Sequence, residues 1–122
     1  DLITDLNFQD LINFHLEHGS VATICVKEYD FTVPYGVVQV NEGAIKRMEE
    51  KPVHKFFVNA GIYVLDPMVL GFINENKSLD MTDLLDKIVE GNQNTSVFPI
   101  HEYWLDIGCE EDYQYANGNI IK

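Results

Sequence analysis

Val21-Ala22-Thr23-Ile24-Cys25-Val26 is the stretch that decides the fold. It lacks the polar alternation of a strand with one wet face, so it suits a central strand buried on both faces. A helix is written just before it. Asn7 reads as an N-cap, with Asp10 three residues later and Gly19 just past the end. Between them Leu11, Ile12, Phe14, His15 and Leu16 recur at near-helical spacing, which predicts a helix over 8–18.

Downstream the same alternation continues. Tyr35 to Val40 is a second strand, Asn41-Glu42-Gly43 a turn, and Ala44 to Met48 its hairpin partner. Phe56 to Leu65 is a further strand with Gly61 inside it, where a glycine often marks close approach of a backbone or ligand. Residues 67–76 are expected to be helical after Asp66-Pro67. Asp80 with Asp83 is expected to cap a helix running to Glu90 and ended by Gly91. Val97 to Ile100 and Tyr103 to Leu105 read as short strands. The tail from Glu110 reads as a helix with Glu110, Glu111 and Asp112 at its positive end. Strands alternating with helices predict an α/β layer architecture.

The chain has 122 residues, at most one ordinary domain, and 46% of them are hydrophobic, enough for a core. Its apolar stretches are too short to span a bilayer, so no membrane partner is expected. Cys25 and Cys109 have no metal-type spacing, and Cys25 reads as a small core residue. Nothing in the cysteine usage calls for an oxidising compartment, which places the protein in the cytoplasm. His15, His18, His54 and His101 show no ligand spacing and read as surface or edge histidines. The net charge of −12, from 20 acidic and 8 basic residues, argues against nucleic acid as a partner.

Four segments stand out in order: Tyr35-Gly36-Val37-Val38, Glu49-Glu50-Lys51-Pro52, Asn59-Ala60-Gly61-Ile62-Tyr63 and Trp104-Leu105-Asp106-Ile107-Gly108. Together they resemble the sugar-phosphate nucleotidyltransferases, over nearly the whole chain. That resemblance implies a three-layer, Rossmann-like mixed sheet flanked by helices, of the nucleotide-diphospho-sugar transferase type. It also implies that residues 1–122 form a single domain that is the later, C-terminal portion of the catalytic domain. The family's glycine-rich phosphate loop with arginine and lysine is not in this sequence, and the chain starts where the first metal aspartate would fall. The N-terminal nucleotide-binding portion is therefore expected to precede Asp1.

The implied reaction joins a hexose 1-phosphate to a nucleoside triphosphate and releases pyrophosphate. The implied cofactor is Mg²⁺, which takes a few carboxylates plus substrate phosphate oxygens. It would also ease the conflict between so acidic a chain and a triphosphate. By the resemblance, Asp106 matches the metal-binding aspartate of a Trp-x-Asp-x-Gly segment in full. Asp1 matches the other through the context Asp1-Leu2-Ile3-Thr4. The plainer readings are a helix cap beside Gly108 for Asp106 and a solvated terminus for Asp1.

Lys51 is expected to contact the sugar phosphate as a compact charge, and Glu50 the sugar hydroxyls. The plain reading of both is an exposed charged pair at a hairpin end. Tyr35 and Gly36 resemble the loop that receives the hexose, or simply start a strand after Pro34. Asn59, Gly61 and Tyr63 are expected along the same pocket, with Tyr63 as readily core. Trp104 is assigned a packing role. Two other readings stay open: a non-catalytic sugar-phosphate-binding module, and a nucleotide-sugar-dependent glycosyltransferase. A cut sheet edge would also let two copies pair into a homo-oligomer.

Overall fold

A computed structural model describes residues 1–74 and 76–120. Its strands are β1 (Leu2–Thr4), β2 (Ala22–Thr32), β3 (Gly36–Asn41), β4 (Ala44–Glu50), β5 (Val53–Leu65), β6 (Thr95–Pro99) and β7 (Trp104–Asp106). Its α-helices are α1 (Phe8–His18), α2 (Met81–Glu90) and α3 (Glu110–Ile120). The α/β class expected from the sequence holds, with both parallel and antiparallel ladders.

The chain divides into two compact units. The larger comprises Asp1–Lys27 and Asn59–Lys122, the smaller Glu28–Val58. In the larger unit β2 is central, hydrogen-bonded to β5 on one side and running parallel to β6 on the other. Successive residues of a strand face opposite ways, and the two faces of β2 meet different partners. Thr23 and Cys25 face α1: Cys25 packs with Leu6, Leu11, Ala60 and Ile100. Ala22 packs with Val69, Leu84 and Ile88, on the side of α2. This is the doubly buried strand that the apolar run predicts.

Helix α1 runs between the expected caps. The Asn7 side chain accepts from the N–H groups of Gln9 and Asp10, and Gly19 closes the helix in the left-handed region at φ 61°. Three local expectations are corrected. The helix expected over 67–76 is a 3₁₀ turn at Pro67–Phe72, with Asp66 capping Met68; residue 75 lies outside the described residues. Asp80 stands at the N-cap of α2, but its side chain makes no capping hydrogen bond. His15 is buried, not at the surface, and shares a 2.7 Å hydrogen bond with the buried Thr23 hydroxyl.

The smaller unit is the hairpin β3–β4 with the adjoining lengths of β2 and β5. Glu42 and Gly43 connect its strands with φ of 49° and 81°, the paired positive angles of a tight hairpin turn. None of its residues is fully buried. Its own closure comes from the Val33 N–H, which donates to the Pro52 carbonyl at 3.0 Å.

Candidate active site

The anticipated residues fall into two groups, one in each unit. In the larger unit the site is built on a strand that sequence reading missed. Leu2–Thr4, which the pattern gives no strand signal, pairs antiparallel with β7. Three residues with no flanking turn signal give no periodicity to read, so only the partner strand reveals β1.

That pairing puts the backbones of both aspartates at one end of the ladder. Leu2 stands opposite Asp106, and the Ile107 N–H donates to the Asp1 carbonyl at 2.7 Å. Asp1 is thus the diagonal neighbour of Asp106, one step along the ladder. Both residues are exposed. Among the described residues no third histidine, cysteine or acid joins them into a metal cluster. Two exposed carboxylates with open positions around them suit a hard cation that keeps water or phosphate oxygens as further ligands. They do not suit structural zinc, which asks for four nitrogen or sulfur donors.

The surroundings of the pair are rigid. The Trp104 indole N–H donates to the Ala60 carbonyl at 2.9 Å, and its ring packs against the cluster around Leu11 and Cys25. Burial pushes the Cys25 thiol up to about 11, as for an inert core cysteine. After Asp106 the chain turns through Gly108 into α3. There the Asp112 carboxylate accepts from the Cys109 thiol at 3.3 Å and from the Gly108 N–H at 3.1 Å. Those bonds hold its carboxyl below the usual aspartate value.

Asn59 and Gly61 belong to the same unit. The Asn59 side chain accepts from the Gly61 N–H at 2.8 Å and donates to the Tyr63 hydroxyl at 2.6 Å. Gly61 has φ of 77°, and a Cβ there would come within 3.0 Å of the Leu2 side chain. The close approach that an in-strand glycine signals is therefore to β1, at the residue facing Asp106.

In the smaller unit the ladder register sets Gly36 opposite Glu50. A Cβ on Gly36 would lie 3.4 Å from a Glu50 carboxylate oxygen, so the glycine keeps that side chain uncrowded. Tyr35 precedes it, with three quarters of its surface exposed. Lys51 follows Glu50 with φ of 43°. A non-glycine residue is disfavoured there, and its position before Pro52 favours extended backbone instead. Such strain concentrates where function demands a particular chain path. Lys51 is exposed and has no ion-pair partner among the described residues. Its neighbours are paired off differently: Glu49 accepts from Gln39 at 2.6 Å and is bridged to Arg47.

The larger unit thus carries two acids at the end of one ladder, and the smaller unit an exposed lysine at the end of its hairpin. The chain belongs to the nucleotidyl transferase family, whose profile matches residues 1–122. Among its relatives is a probable mannose-1-phosphate guanylyltransferase 2 of Arabidopsis thaliana, 36% identical over 119 residues. The mannose-1-phosphate guanyltransferase of Schizosaccharomyces pombe is likewise 36% identical, over 118 residues. Each match covers 93% of this chain and 32% of the relative, so the chain spans about a third of their length. Among solved structures, HddC from Yersinia pseudotuberculosis superposes with a TM-score of 0.66 at 24% identity. That match covers 98% of this chain and 52% of HddC, and it is a likeness of fold. Among the described residues, no helix is long and apolar enough to cross a membrane.

Proposed function

We propose that this chain is the sugar-phosphate side of a nucleotidyltransferase, the C-terminal portion of a catalytic domain working in the cytoplasm. The whole enzyme transfers a nucleotidyl group from a nucleoside triphosphate to a hexose 1-phosphate and releases pyrophosphate. The observation that supports this reading is the β1–β7 ladder, whose one end carries both Asp1 and Asp106, in a chain of this family. Asp1 and Asp106 would hold Mg²⁺ through their carboxylates, leaving further positions for water and phosphate oxygens. When bound, the ion neutralises charge on the reacting phosphates.

Every other contribution is positioning. Lys51 fixes the sugar phosphate, so its oxygen approaches the α-phosphorus in line with the departing pyrophosphate. Glu50 accepts from sugar hydroxyls. Tyr35 offers a ring face and Gly36 a bare backbone edge to the hexose. Asn59 and Gly61 are the sugar-binding candidates of the larger unit. No side chain forms a covalent intermediate in this scheme.

The test is pyrophosphate release by the intact protein with Mg²⁺, across the common triphosphates and a panel of hexose 1-phosphates. GTP with mannose 1-phosphate is the first pair to try, because the relatives at 36% identity are named for that reaction. Release that requires one triphosphate and one sugar phosphate together supports the reading and names the substrates. A folded protein that releases nothing from any pair would instead favour a non-catalytic sugar-phosphate module.

A further inference from the structure

We propose that Thr4 is the positioning residue that holds Asp1 in register with Asp106. The proposal rests on the reading of those two aspartates as a metal-binding pair. The argument starts from the weakness of the ladder that joins them. β1 and β7 pair through only Leu2–Asp106, Ile3–Leu105 and Thr4–Trp104, and they form a two-stranded sheet of their own. A pair of strands that short is marginal by itself. Losing this register would break the Ile107 N–H bond to the Asp1 carbonyl, the bond that fixes Asp1 at the end of the ladder next to Asp106.

Each strand is anchored separately. β7 is tied to β5 through the Trp104 indole, which donates to the Ala60 carbonyl. The anchor of β1 is at Thr4. Its hydroxyl donates to the Tyr103 carbonyl at 2.7 Å and accepts from the Leu6 N–H at 3.2 Å. The Asp5 N–H donates to that same Tyr103 carbonyl at 3.0 Å. One hydroxyl therefore ties the end of β1 to the residue before β7 and also turns the chain toward Leu6, which is buried in the core. A slipped register would break the hydroxyl's bond to the Tyr103 carbonyl, while its local bond to the Leu6 N–H fixes the turn that follows. Valine has the shape of threonine without the hydroxyl, and serine has the hydroxyl without the methyl, so the two substitutions separate packing from pinning.

Two readouts test this, neither of them turnover. The first is amide hydrogen exchange at Ile107, whose N–H is bonded to the Asp1 carbonyl. Thr4→Val should speed that exchange roughly 10-fold while the amides of β2 stay protected. Thr4→Ser should restore it. The second is Mn²⁺ binding, followed by the ion's own electron paramagnetic signal. Thr4→Val should weaken it roughly 10-fold, with Asp106→Asn as the abolished control. Unchanged Ile107 exchange in Thr4→Val, or loss of protection in Thr4→Ser, overturns the proposal. So does wild-type Mn²⁺ affinity in a Thr4→Val protein whose ladder has opened. A wild type that binds no Mn²⁺ sinks the metal-pair reading, and the exchange result still decides whether Thr4 pins the ladder.

Discussion

The two units of the molecule hold their shape by different means. Among the described residues, every buried hydrophobic side chain, from Leu6 to Ala116, belongs to the larger unit. The smaller unit has none, and leaves Val40, Ile45, Met48 and Phe57 each about two-thirds exposed. In the larger unit, burial on both faces of β2 fixes which residue points where. In the smaller unit, a tight turn and the cross-strand hydrogen bond from Gln39 to Glu49 set the register, with Arg47 bridged to Glu49 along β4. Position is enforced by packing in one case and by backbone chemistry in the other.

The largest expected effect tests that contrast directly. Ile88 is fully buried between α2 and β2, whereas Ile45 in the hairpin is 70% exposed. Ile88→Ala should cost about 2–5 kcal/mol of unfolding free energy by denaturant titration. Ile45→Ala should fall within about 0.5 kcal/mol of wild type. Equal losses would mean that the smaller unit carries a core of its own, and the comparison would fail.

The two groups of site residues should separate in kinetics as they do in structure. Asp106→Asn removes one of two acids at the ladder and should lower kcat by about 100-fold or more, with an unchanged unfolding midpoint. Lys51→Ala should chiefly raise the KM for the sugar phosphate, roughly 10-fold or more, because a charge on a bound phosphate is lost. A Lys51→Ala enzyme with a normal KM would remove Lys51 from the site. Normal turnover in Asp106→Asn would remove the metal assignment.

A smaller effect belongs to the hairpin turn. Gly43 has φ of 81° with open space around its α-carbon, so an added methyl meets no atom but forces a left-handed L-residue. Gly43→Ala should cost about 1 kcal/mol, read as faster amide exchange across β3–β4 with β2 unaffected. If β2 loosens equally, the two units unfold together and the hairpin is not locally governed.

How much of this was legible follows the same division. The buried strand and α1 were readable because their signals are local and redundant: an unbroken apolar run, and caps at Asn7 and Gly19 that the structure uses as written. The hairpin was readable from Asn41-Glu42-Gly43. What stayed hidden depends on distant partners. β2 continues past Val26 to Thr32, where the residues turn mixed and no burial marks them. β1 exists through β7, about a hundred residues away. His15 looked like a surface histidine because a helix face does not reveal that Thr23 lies opposite. At the candidate site, motif order singles out Asp106 and the Glu50-Lys51-Pro52 corner as candidates. That Asp1 and Asp106 are ladder neighbours, and that Gly61 makes room for Leu2, are long-range facts of register.

The smallest expected effect concerns the start of α3, where the loop after Asp106 is held by one carboxylate. The Asp112 pKa is lowered by hydrogen bonds from the Cys109 thiol and then the Gly108 N–H. A carboxyl whose folded value is depressed contributes stability above its unfolded value. That contribution fades as the pH falls through the folded one. The window therefore opens below the ordinary aspartate value of 3.8 and closes at the lower folded value. Across it, the Gly108 amide should lose exchange protection before the amides of β2 do. Asp112→Asn, which removes the charge but keeps a carbonyl oxygen, should abolish that pH dependence and leave neutral-pH stability nearly unchanged, since the group is exposed and its bonds are screened. If the Gly108 amide of Asp112→Asn still titrated with the wild-type profile, another group would be holding this loop. The order that Asp106 inherits from its C-terminal side would then need a different source.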